Sequence, residues 1–434
     1  MSGYQGAFGG GGGGNFGGGG RGGNFGGGGF QGGGGRGRGR GRGGRGGGRG
    51  GRGGGRGDSG NQGGEQELYR ICQFYTQGKD CRNGDNCQFF HGIRVAYSFK
   101  ASEKSVSSMS TVDVGDGKTR IITGGEEPCV KVWNLTTDPP TTDMVMNTNG
   151  PVTHTEVNGT NIMWSIEEPL VGDAPGVPVG MVHLLDIGSQ TTLPIKRSEE
   201  MPYTHPQPVR SIAIAIDNNI PYVVTAGTEG NIMCWRFEGG QFVKLSLCEG
   251  HTRAVTCLLF HEGMLWSGAG DRTLRVWDIT SGRCVGAIKS APGNPDGHAD
   301  AVSCLEKIPA VAGTQDASSY VASGSIDGEL KLWKSNGEFV YSCNNGAGVT
   351  ALRCFQDELG GQQCLLIGLF DGGIRIRSCA TMALLIRLDS NLCRTQTVWS
   401  IADLGGRSCF ASGGADGQCI MWQVASALKD GNAA

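Results

Sequence analysis

The chain has no apolar run of about 18 residues or more, so no membrane-spanning helix and no membrane partner are expected. Its first residues, Met1-Ser2-Gly3-Tyr4-Gln5-Gly6, lack the apolar core of a signal peptide, and a location inside the cell is the expectation. Under that expectation the sixteen cysteines are mostly reduced. Catalytic signatures are missing as well. There is no His-Glu-x-x-His pair, and no phosphate-binding loop or exposed nucleophile in a suitable context, so neither an enzyme nor a small-molecule substrate is expected. The net charge of −2 points by itself to no class of partner.

The distribution of charge does. Residues 1–64 hold 39 of the 81 glycines and nine arginines against one acid, Asp58, so this tail carries +8 and the rest of the chain −10. Glycine at that density has much chain entropy to lose and little apolar surface to bury, which predicts disorder. Tyr4, Phe8, Phe16, Phe25 and Phe30 punctuate its first half, while Arg36, Arg38, Arg40, Arg42, Arg45, Arg49, Arg52 and Arg56 follow in RG and RGG steps. This pattern resembles the RGG boxes of RNA-binding proteins. Arginine suits the task because its planar guanidinium forks onto phosphate and stacks on bases, so these eight are candidate nucleic-acid contacts. A flexible tail of this length spans roughly 40–48 Å. A plain spacer or a condensate-forming segment is the alternative.

One short stretch organises the rest of the chain. From Cys72 to His91, three cysteines (Cys72, Cys81, Cys87) and a histidine fall with eight, five and three residues between them, in a segment too small and polar to bury a core. Three cysteines cannot pair among themselves, and a disulfide framework has no place for the histidine. Three thiolates and an imidazole are instead the complement of one structural Zn²⁺, a closed tetrahedral site with no position left for substrate. Binding and folding of such a segment are one event. Many of the other cysteines lie in apolar runs such as Val255-Thr256-Cys257-Leu258-Leu259, where a thiol behaves as a small hydrophobe.

Cys-x8-Cys-x5-Cys-x3-His is the signature of the CCCH zinc fingers, which the segment resembles. The tristetraprolin type binds single-stranded RNA by stacking bases between aromatic side chains. Phe89, two residues after Cys87, matches the family's stacking aromatic, whereas Asn83 stands where tristetraprolin-like fingers carry tyrosine, and the lead-in is Tyr69-Arg70-Ile71. Phe74, Tyr75 and Phe90 are further candidate platforms, since stacking on an aromatic is worth roughly 1–3 kcal/mol with any base. For Phe74 and Phe90, covering the zinc site is an equal alternative. Lys79 and Arg82 are candidate phosphate contacts, but with Arg70 they only balance Glu67, Asp80 and Asp85. Long-range attraction must therefore come from the tail.

Beyond residue 93 an internal repeat dominates. An acid followed six residues later by tryptophan recurs as Glu127 and Trp133, Glu229 and Trp235, Asp271 and Trp277, Asp327 and Trp333, Asp416 and Trp422. Two degenerate copies lie between: Asp371 to Arg377, with arginine in the tryptophan position, and Val179 to Asp186. The seven units resemble WD repeats, which implies an all-β, seven-bladed propeller. In WD repeats the equivalents of His251, Ser267, Asp271 and Trp277 form one hydrogen-bond network within a blade, so this triad-like set is structural rather than hydrolytic. The last blade needs an outer strand, and Arg94-Val95-Ala96-Tyr97-Ser98-Phe99 is the unclaimed segment expected to supply it. The finger would then join the propeller across only Gly92 and Ile93.

The expected organisation is a tail (1–64), a finger (66–92), a propeller (93–425) and a short C-terminal tail (426–434). A CCCH finger followed by WD repeats resembles a plant group often called zfwd proteins, over residues 69 to 424. The reading is a zinc-dependent protein that binds single-stranded RNA and recruits protein partners on its propeller. A WD-repeat scaffold, such as a ubiquitin-ligase substrate receptor with the finger as a protein-binding element, and DNA binding by the finger are the alternatives. The nucleus is the expected location, with the cytoplasm second.

Overall fold

A computed structural model of the chain describes residues 67–424, apart from 114–117, 160, 169–177, 187–190, 199–200, 202, 218–219, 291–295, 310–318, 360–361, 394–395 and 406–407. The eight tail arginines and residues 426–434 lie outside the described residues. Alternating apolar residues in short runs, broken by Gly and Asp turns, produce seven antiparallel sheets of four strands each. Blade one runs from Ser108–Asp113 to Thr141–Asn147, blade two from Val152–Asn158 to Thr191–Ile195, and blade three from Val209–Asp217 to Gln241–Cys248. Blades four, five and six come next, from Val255–His261 to Arg283–Ile288, from Val302–Ile308 to Phe339–Asn344, and from Val349–Leu359 to Leu384–Leu388. The first strand of each blade touches the first strand of the next, and blade seven touches blade one, so the ring is closed.

Position within a blade decides what alternation means. The fourth strand of blade five, Phe339–Asn344, alternates cleanly between half-buried and exposed. The third strand, Glu329–Trp333, is buried at every residue after the first, because neighbouring blades cover both of its faces. Strand Leu274–Asp278 is likewise buried at Leu274, Val276 and Trp277 and only partly exposed at Arg275 between them.

The turn before the third strand repeats one device in four of the blades. Gly230, Gly328, Gly372 and Gly417 each follow the repeat's acidic residue with φ between 75° and 90°, a left-handed conformation that glycine adopts without a Cβ clash. In blade four that place is taken by Arg272 at φ 69°. Behind the turn lies the network. Trp277 donates its indole N–H to Ser267 Oγ at 2.8 Å, Ser267 lies 2.7 Å from His251 Nε2, and His251 Nδ1 lies 3.0 Å from Asp271. Since Ser267 accepts from the indole, its own proton goes to Nε2, and Nδ1–H donates to the carboxylate. Blade five repeats this with His298, Ser323, Asp327 and Trp333, and blade three with His205, Thr225, Glu229 and Trp235. Ser267 is fully buried, so the set offers no nucleophile to solvent. In blade six Arg377 fills the tryptophan position, buried and donating to Asn345 Oδ1 and to the Met382 carbonyl.

Blade seven consists of Val398–Asp403, Cys409–Gly414 and Gln418–Val424, and its outer strand is Ile93–Lys100. This closing strand pairs Ile93 with Val424, Arg94 with Gln423 and Val95 with Trp422, then shifts by a bulge and continues from Tyr97 opposite Met421 to Lys100 opposite Gln418. The ring is thus shut by the segment expected from sequence. The link to the finger is more extensive than Gly92 and Ile93. Leu68 and Tyr69 donate their backbone N–H groups to the carbonyls of Leu384 and Leu385, on the outer strand of blade six. Tyr69, Ile71 and Phe90 pack against a core cluster shared by blades six and seven, which includes Ile93, Leu385 and Trp422.

Candidate metal centre and its surface

Four features fold the segment around its ligands. Cys72 stands at the N-cap position of the short helix Gln73–Thr76, after which Gly78, at φ 75°, turns the chain back. A Cβ at Gly78 would sit 3.1 Å from the Val95 carbonyl, so glycine permits the turn to press on the closing strand. Between Cys81 and Cys87 a 3-10 turn, Gly84–Asn86, reverses the chain again. Finally Ile71 and Phe90 form a parallel bridge in which Cys72 N–H donates to the Phe90 carbonyl at 3.0 Å and Phe90 N–H to the Arg70 carbonyl at 2.8 Å. That bridge brings the first and last ligands together.

The ligand atoms of Cys72, Cys81, Cys87 and His91 all lie within 4.8 Å of one another. One ion with bonds of about 2.0–2.3 Å accounts for such a cluster. An independent sign is His91 Nε2, which is buried yet has no hydrogen-bond partner, as expected of a nitrogen whose lone pair serves a metal. Backbone N–H groups surround the sulfurs: those of Asn83 and Gly84 are aimed at Cys81, and that of Phe89 at Cys87. The Asn83 N–H above all holds the Cys81 thiol below its ordinary value. Such donors stabilise thiolates around a cation. The donor set suits one structural zinc ion, and with four protein ligands its chemistry is to hold the fold.

The candidate aromatic residues separate. Phe89 is 53% exposed and Phe74 64%. Tyr75 is half-buried, stacked on the ligand His91 with ring centroids 4.5 Å apart and planes 6° from parallel. The expectation for Phe90 is corrected: it stacks on Tyr69 at 4.6 Å and packs toward the propeller core, so it belongs to the seam and is no open platform. The reason is the bridge to Ile71, which sets both residues against the core shared by blades six and seven. Lys79 and Arg82 are exposed, with Lys79 donating to Gln77. Two residues passed over by sequence reasoning stand beside this site. Tyr69 is the seam partner of Phe90, and Arg94, three residues after the last ligand, has its guanidinium 6.0 Å from the centre of the Tyr75 ring. Only the spacing of Arg94 from His91 hinted at it.

At one mouth of the propeller, charged side chains from blades one, five, six and seven, among them Asp113, Glu306, Arg353 and Asp403, line a cavity of about 700 Å³. Burial pushes the Glu306 carboxyl up to about 7, against the pull of Arg353.

Comparison with known proteins agrees with both parts. The model for zinc fingers of the C-x8-C-x5-C-x3-H type (and similar) matches residues 69–93, and the model for the WD domain, G-beta repeat, matches residues 242–278 and 291–334. Zinc finger CCCH domain-containing protein 62 of Arabidopsis thaliana is 22% identical over 227 residues, 50% of this chain and 47% of that protein. Zinc finger CCCH domain-containing protein 17 of Oryza sativa subsp. japonica is 24% identical over 232 residues, 52% of this chain and 47% of that protein. WD repeat-containing protein pop2 of Schizosaccharomyces pombe is 33% identical over 93 residues, 20% of this chain and 12% of that protein. The aligned part spans about half the length of the two plant relatives. The chain therefore carries a CCCH zinc finger and a seven-bladed WD-repeat propeller, and plant CCCH zinc finger proteins are among its homologues.

Proposed function

We propose that this protein binds single-stranded RNA through its zinc finger and presents the bound RNA to protein partners on its propeller. A CCCH finger joined to a WD propeller supports nucleic-acid binding and protein interaction in general. The reading of RNA in particular rests on Phe89. Its ring is 53% exposed, while its own backbone N–H is aimed at the sulfur of the ligand Cys87. A large apolar ring held outward by the metal site is costly to display to water and suited to receive an unstacked base. Phe74, 64% exposed, offers a second ring. The tail arginines Arg36 to Arg56 supply the long-range attraction that the balanced charges of the finger do not, and duplex DNA, with its bases stacked, is the weaker ligand.

The test is a titration of labelled single-stranded RNA with the full chain and with Phe89→Ala, Phe74→Ala and Cys81→Ser, with duplex DNA as competitor. Weakening by at least about fivefold for Phe89→Ala supports the reading. Unchanged affinity in all three variants would favour the scaffold reading, with the finger as a protein-binding element.

A further inference from the structure

The finger ends on the propeller, and the surface beside its zinc site does not stop at the seam. The His91 imidazole and the Tyr75 ring lie parallel, and the Arg94 guanidinium is set 6.0 Å from the Tyr75 centre. Arg94 belongs to the closing strand, where Gln423 Oε1 accepts from its Nε at 3.1 Å and from its Nη2 at 2.9 Å. The guanidinium is therefore pinned by a neutral amide. Other arginines of the propeller, Arg120, Arg210, Arg236, Arg353 and Arg375, meet carboxylates instead, whereas among the described residues no carboxylate lies within ion-pair distance of Arg94. A fixed, exposed and uncompensated cation against an aromatic ring is prepared for an anion, with little side-chain freedom left to lose on binding.

Tyr97 extends the same face. Arg94 and Tyr97 lie opposite Gln423 and Met421, which alternate along their strand, so both stand on one side of blade seven's sheet, and Tyr97 is 38% exposed. Gly78 brings the finger against Val95 between them, and Lys79, exposed, follows directly. Arg94 also offsets the one negative charge that three thiolates leave on a bound Zn²⁺, since Arg70, Lys79 and Arg82 only cancel Glu67, Asp80 and Asp85.

We infer that the RNA path runs from the finger across the seam onto the closing strand, with Arg94 holding a backbone phosphate and Tyr97 stacking on a base. The inference rests on the proposal that the finger binds single-stranded RNA, and it makes the propeller's own edge part of that site. A strand of about four or more nucleotides is long enough to cover both.

The experiment titrates labelled single-stranded RNA of about twelve nucleotides with the full chain at several salt concentrations. Arg94→Gln is expected to weaken binding about fivefold and to lower the slope of log K against log salt by about 0.7, the loss of one phosphate contact on a single strand. Arg94→Lys restores that slope. Tyr97→Ala weakens binding about fivefold with the slope unchanged. Gln423→Ala removes the same hydrogen bonds but keeps the cation, so it retains the slope, which separates a phosphate contact from a merely structural one. If Phe89→Ala weakens binding while Arg94→Gln and Tyr97→Ala do not, RNA stops at the finger and the inference is overturned with the finger reading intact. Should Phe89→Ala and zinc removal also leave affinity unchanged, both fall together.

Discussion

The backbone N–H of Tyr69 donates to the carbonyl of Leu385 at 2.9 Å, which knits the start of the zinc-binding segment into the outer edge of blade six. The end of that segment runs directly into the closing strand of blade seven, because Ile93 follows His91 by two residues. Metal site and ring closure therefore share one seam.

Zinc removal should be felt in the propeller. All eight tryptophans lie beyond residue 93, so tryptophan fluorescence reports the ring and not the finger. Chelation, or Cys81→Ser, is expected to lower the melting midpoint of that signal by about 2–4 °C, the shift that roughly 1 kcal/mol produces in a large domain. An unchanged midpoint would show that the finger hangs on the propeller without supporting it.

Adjacent rings should behave oppositely. Phe90→Ala empties a place against Tyr69 and the core of blades six and seven, and is expected to cost about 2–4 kcal/mol in denaturant unfolding. Phe89→Ala removes an exposed ring and should stay within about 0.5 kcal/mol, with its effect appearing in RNA affinity instead.

The His-Ser-Asp sets should govern stability alone. Ser267→Ala leaves the Trp277 indole and His251 Nε2 unpaired in the interior, an expected cost of about 1–3 kcal/mol by urea titration. Their carboxylates also set an acid limit. Burial by itself would raise Asp327, but the hydrogen bond from His298 and the N–H groups of Glu329 and Ala299 outweigh it and hold the group at about 2, below its ordinary 3.8. A depressed folded pKa contributes stability that is complete above about pH 4 and is lost as pH falls through about 2. Asp271 is shifted in the same direction, its hydrogen bonds with His251 and Thr273 overcoming burial. Asp327→Asn should flatten that part of the stability profile.

Blade four carries a correctable strain. Arg272 holds φ 69° where four other repeats have glycine, and a left-handed residue with a Cβ costs about 1–2 kcal/mol. After the extra entropy of unfolded glycine is deducted, Arg272→Gly is expected to stabilise by about 0.5 kcal/mol. A loss of stability would mean that the Arg272 side chain makes contacts that outweigh the strain.

Much of the molecule was legible because it is written in spacing. Eight, five and three residues between ligands name a tetrahedral site, since a metal accepts only certain atoms at certain reach, and acid-to-tryptophan intervals name blades, since five of the seven bury an indole at the same place in the third strand. Even the degenerate sixth copy could be counted, although how Arg377 is accommodated could not. Its guanidinium is satisfied by Asn345 and by the Met382 carbonyl, groups that the sequence does not mark as its neighbours.

The fate of each ring was another matter. Phe74, Phe89 and Phe90 are chemically identical, and local sequence offered no means of telling a surface phenylalanine from a seam phenylalanine. That was settled when residues some 300 positions away, Leu384 and Leu385, came to lie beside the segment. Ligand identity, repeat number and the closing strand were determined by the sequence alone. The seam, the packing of Phe90 and the pinning of Arg94 by Gln423 were decided only by tertiary structure, because closing the ring pairs the strand Ile93–Lys100 with Gln418–Val424.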